Sequence, residues 1–85
     1  MKLFYMLIAS LQDRPRPLTL GEQVLLQVSG ALDEDHVLTL SKDDIARGLE
    51  CRDEHLRELA VEQTFAFLMG QGLLIHDGQR YRLAA

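Results

Sequence analysis

The stretch "LSKDDIARGLECRDEHLRELA", residues 40 to 60, constrains the fold of this chain more than any other. Ser41 stands before "KDDIARGL" as a helix cap, with Asp43 and Asp44 in the first turn, where the helix dipole favours anions. Ile45 and Leu49 recur at helical spacing and face inward, and Gly48 lies close to the stop. Glu50 to Arg52 make a tight turn. Asp53 then caps a long helix running to about Met69, which Gly70 and Gly72 end.

The other segments are arranged around this pair. Eighty-five residues make one domain with a modest core. An apolar fraction of 47% with 26% charged residues is that of an ordinary folded chain, not a disordered one. In "LTLGEQVLLQVSGAL", Thr19 and Glu22 have capping-box spacing, and the apolar positions predict a helix over about 20 to 31. Asp33, Glu34 and Asp35 make a polar turn into a short strand, Val37 to Leu40. Asp77-Gly78, between apolar and alternating residues, predicts a terminal hairpin. At the N-terminus, Leu3 to Leu11 is an unbroken apolar block that suits helix or strand, with helix favoured. Being apolar all round, it should be covered on more than one side. It is far shorter than the roughly twenty residues a membrane span needs. It has the shape of a signal peptide, but its basic region is minimal, so we read it as part of the mature domain. The proline-containing "DRPRPL" separates it from the rest.

The expected class is α+β, mainly α, in the order helix, strand, helix, helix, hairpin, with an extra N-terminal element. The divisions are 1–12 for that element, 13–18 for the linker and 19–83 for the remainder. This order, with "LTLGE", "DED", "LSKDDIARGL" and "GQGLLI" in sequence, resembles the winged helix-turn-helix domains of phage and plasmid replication and regulatory proteins. The resemblance covers about Leu18 to Leu83. It implies nucleic-acid binding, with the third helix in the major groove and the hairpin wing near the backbone.

Charge is distributed unevenly for such a role. Residues 32 to 62 hold ten acids and four bases, a net −6, against +2 elsewhere and −4 overall. Where family members carry basic and hydroxyl residues, this chain reads "ECRDEHLRE". Each carboxylate turned toward DNA would meet like charge. Asp53 and Glu54 suit a helix start, whereas Glu58 and Glu62 have no such role. The candidate DNA contacts are Arg52, His55 and Arg57 at the head of the third helix. Arg80 and Arg82, two apart on a strand and so on one face, are candidates on the wing.

Placed on a helical wheel, Leu56, Leu59, Ala60, Gln63 and Phe67 form the expected core face of the long helix. Val61, Phe65 and Leu68 fall nearly opposite, with Met69 close by. That second apolar side needs a cover. We expect a homodimer in which Val61, Phe65, Leu68 and Met69 pack with Leu3, Phe4, Leu7 and Ile8 of the N-terminal block. The alternative is a monomer with that block as an added core helix.

No catalytic constellation is visible. His36, His55 and His76 fall in a turn, on a helix and at a hairpin. Cys51, His55 and Glu58 lack a second convergent ligand pair, and a single cysteine forms no internal disulfide. We expect no enzyme activity, metal, cofactor, small-molecule substrate or membrane association, and a cytoplasmic location. Two functions stand side by side. One is a small dimeric regulator of transcription or replication that binds double-stranded DNA. The other is an acidic protein-interaction module or charge decoy that meets a basic protein partner and leaves DNA alone.

Overall fold

Six elements make up the computed structural model, which describes residues 2 to 84; the two end residues of the expected 1–85 domain lie outside the described residues. They are α1 (Lys2–Leu11), α2 (Leu20–Gly30), α3 (Lys42–Arg47), α4 (Glu54–Gly70), β1 (Leu74–Asp77) and β2 (Arg80–Leu83). The chain is α+β and mainly helical, with a C-terminal antiparallel hairpin, in a winged-helix-like layout.

The helix starts follow from local chemistry. The first turn of a helix leaves N–H groups unpaired, and a capping oxygen satisfies them. Thr19 and Glu22 form a full capping box on α2: Thr19 N–H donates to Glu22 Oε1 at 2.9 Å, and Glu22 N–H donates to Thr19 Oγ1 at 3.1 Å. The Thr19 backbone bond holds the Glu22 carboxyl below its ordinary pKa. Ser41 caps α3 by accepting from Asp44 N–H at 3.1 Å. The Ser41 hydroxyl and then Arg47 hold the Asp44 carboxyl low. Asp53 caps α4 by accepting from Leu56 N–H at 3.2 Å.

The end of α4 sharpens the expectation. Gly70 is still helical, and Gly72, at φ +71°, makes the stop. Gly72 N–H donates to Met69 O and Leu73 N–H to Leu68 O, which is a Schellman ending. In the hairpin, Asp77 pairs with Arg80, so Gly78 and Gln79 form the loop, with Gly78 at φ +65°.

The strand expected over Val37 to Leu40 is shorter. Leu38 bridges to Leu32 and Val37 to Arg82, each as a single bridge. Leu38 N–H donates to Tyr81 O at 2.8 Å and Leu83 N–H to His36 O at 3.0 Å, so two residues extend the sheet on the far edge of β2. Thr39 then turns away, its N–H and hydroxyl both donating to Ala31 O at 2.8 and 2.7 Å, and pairing stops.

α2, α3 and α4 pack on one another, α1 lies on α2, and β1 packs on α4. One core joins them, centred on Phe4, Val24, Val28, Ile45, Phe65 and Leu68, each fully buried. α1 is a helix, as favoured, but only one side is covered: Phe4, Ile8 and Leu11 are buried, while Leu3 and Met6 are 68% and 58% exposed. Within the chain, then, this block is covered on one side and not on more. No helix among the described residues is long and apolar enough to cross a membrane.

Candidate protein-interaction surface

The two faces of α4 are the reverse of the expected ones. Val61, Phe65 and Leu68 are at most 2% exposed and lie in the chain's own core. Leu56, Leu59 and Phe67, expected to face the core, are 46%, 42% and 50% exposed. Phe4 and Ile8 are buried too, and Leu7 is half-buried against the core. Of the residues expected at a dimer interface, only Leu3 and Met69 remain exposed. The other six are used up inside one chain, so that interface is corrected.

The charges of α4 are accommodated in this orientation. Glu54, Arg57 and Glu58 flank the buried side and line a cleft of about 220 Å³ against Asp43, Ala46 and Arg47 of α3. The Arg57 guanidinium donates to Cys51 O and pins the turn before α4. Glu62 accepts from Lys42 Nζ at 3.2 Å. That ammonium also lies 5.2 Å from the Phe65 ring centre and 5.4 Å from that of Tyr81. Phe65 and Tyr81 meet edge to face at 5.0 Å, and His76 stacks on Tyr81 at 4.3 Å. Desolvation pulls the Lys42 pKa down, but hydrogen bonds with Tyr81 and Glu62 outweigh it and hold the ammonium above the ordinary lysine value. Glu62, which had no role in the sequence, therefore ties α4 to the first residue of α3.

The outward face is left without charge. Leu56, Leu59, Gln63, Ala66, Phe67 and Gly70 follow one another at helical spacing, and all are exposed. Met69 and Glu62 stand along one border. On the other, Gln63 and Phe67 overlook a shallow hollow of about 300 Å³ floored by Gly21, Leu25 and Thr64. A helix that reads DNA presents hydrogen-bonding and cationic groups outward. Along this stripe α4 presents leucine, alanine and phenylalanine, with Gln63 as the one hydrogen-bonding side chain.

The candidate DNA contacts differ in how free they are. Arg52 and His55 are exposed, whereas Arg57 is occupied by Cys51 O. Arg80 and Arg82 do share a face of the hairpin, since their cross-strand partners are Asp77 and Ile75. Arg82 is half-buried and lies 3.7 Å from Asp77 Oδ2. No group of three or more His, Cys, Asp or Glu side chains among the described residues is arranged to hold a metal ion.

A groove of about 780 Å³ lies between the linker, α2 and the turn after α3. Its amides already have backbone partners: Gln23 Oε1 accepts from Glu50 N–H at 2.8 Å, and Gln27 Nε2 donates to Gly48 O at 3.4 Å. These bonds hold the turn in place.

Comparison with protein-family profiles, curated proteins and solved structures finds no match to this chain.

Proposed function

We propose that this chain is a protein-interaction module, a winged-helix-like scaffold that offers the outer face of α4 to another protein surface. The observation that carries this reading is the uncharged apolar stripe from Leu56 to Gly70, with Leu56, Leu59 and Phe67 each more than two-fifths exposed. A contiguous apolar patch rimmed by polar residues marks an association surface. The outer face of α4 is thus apolar, and the acids beside it add like charge toward phosphates.

Two measurements test the proposal together. Binding to random duplex DNA is followed across a salt series starting at about 50 mM, where phosphate-gripping proteins bind well. The expected result is no binding. A photo-crosslinking amino acid is then placed at Leu59 and, separately, at Arg80, in living cells that make the protein. Leu59 is expected to yield a protein adduct and Arg80 none. Salt-sensitive DNA binding that is lost in the Arg80→Ala, Arg82→Ala variant, with no adduct at Leu59, would overturn the proposal in favour of a DNA-binding regulator.

A further inference from the structure

The stripe on α4 has a size pattern that points to its occupant. A two-fold axis through Gln63, with the helices antiparallel, sets residue 56 level with residue 70 of the second copy, 59 with 67, and 60 with 66. On the helix surface, Leu59 and Ala66 lie to one side of the line through Leu56, Gln63 and Gly70. Ala60 and Phe67 lie to the other. Rotation about this axis keeps each side facing its own counterpart. Leu56 then falls against Gly70, Leu59 against Ala66, and Phe67 against Ala60, so every large side chain meets a small one. At the centre, Gln63 meets Gln63. Each amide carries donors and an acceptor, so the two bond reciprocally. A lone polar pair in an apolar seam also fixes the register. We infer that the partner of the outer face of α4 is a second copy of this chain, docked antiparallel about Gln63. The inference rests on the interaction reading above and specifies its partner.

Charge permits the arrangement. The stripe itself carries no ionisable group, the Glu62 carboxylates that flank the axis are each tied to Lys42 of their own chain, and Glu22 at the neighbouring hollow accepts from Thr19 N–H and lies 3.8 Å from Arg14. Area limits its strength. A fifteen-residue stretch of helix is ~22 Å long and ~10 Å wide. Its footprint is ~220 Å² a side, which leaves the contact well below the roughly 1,200 Å² buried in stable complexes. The dimer is therefore a weak, reversible one.

Sedimentation of the full chain from about 5 µM to about 500 µM tests for a weak dimer. The mass is expected to rise from one chain to two across the range. Leu59→Glu, on an exposed position, is expected to stay monomeric throughout with an unchanged circular dichroism spectrum. In a Cys51→Ser background, Gln63→Cys places two thiols at the axis and is expected to form a disulfide-linked pair on mild oxidation. Met6→Cys, exposed on α1, is the control and is expected to remain reduced under the same conditions. A chain that is monomeric at the highest concentration overturns the inference. So does a dimer in which Met6→Cys crosslinks and Gln63→Cys does not. The two proposals fail separately. A monomeric chain whose Leu59 crosslinker captures a different protein ends the second-copy inference alone. A monomeric chain with no adduct ends both.

Discussion

Lys42 shows how much one side chain decides at the residue scale. It joins the start of α3 to Glu62, Phe65 and Tyr81. A cation over aromatic faces contributes about 0.5–1 kcal/mol, and a half-exposed ion pair adds little more. Lys42→Ala is expected to cost about 1 kcal/mol in urea unfolding. Its raised pKa sets the direction of the pH effect. The contribution is complete below the unfolded lysine value of 10.5 and is lost as pH rises through the folded one. Lys42→Ala should therefore lose this alkaline component of the stability profile. His36 is a second such residue, the one non-glycine residue at positive φ among those described, at +64°. It closes the turn in which Asp33 Oδ1 accepts from Asp35 and Val37 N–H groups. Left-handed backbone costs a side-chain-bearing residue ~1–2 kcal/mol, partly offset by the greater unfolded entropy of glycine. His36→Gly is expected to be more stable than His36→Ala by about 0.5–1 kcal/mol. Both lose the ring that meets Tyr5 edge-on at 6.3 Å, so the comparison isolates the backbone.

At the scale of elements, the orientation of α4 is the decisive feature, and two phenylalanines two residues apart test it. Phe65 is fully buried and Phe67 is half exposed. Phe65→Ala removes a packed ring and should cost ~3–5 kcal/mol, while Phe67→Ala should stay within ~0.5 kcal/mol in dilute solution. Equal costs, or the reverse order, would contradict the orientation described. Periodicity alone could not make this choice. It located two apolar faces on opposite sides of one helix, but a wheel carries no information about which side meets the core. Arg57 and Glu62 find partners beside the buried face, on segments that the wheel does not contain. The cluster of charges at Glu54, Arg57, Glu58 and Glu62 was visible in the sequence. Its meaning, a cleft against α3 and a tie to Lys42, depended on elements distant along the chain.

At the scale of the whole molecule, association and stability are linked. A partner that binds only the folded state raises the apparent stability by mass action. The melting temperature of the full chain should therefore increase with its own concentration, by a few °C at about ten times the dissociation constant. Leu59→Glu should abolish that dependence. The sequence by itself determined where α2, α3 and α4 start and stop and where the hairpin reverses. These features depend on neighbours a few residues apart: Thr19 with Glu22, Ser41 with Asp44, Asp53 with Leu56, and Gly78 in its loop. It also determined that α4 is apolar on two sides and that one of them needs a cover. Only the tertiary structure decided which side that is, how far the Val37 strand runs, and which charges remain free. Those outcomes depend on the total burial of all elements packed together. Phe65 and Leu68 fill the core with Tyr81 and Phe4, and the stripe from Leu56 to Gly70 is what that packing leaves outside.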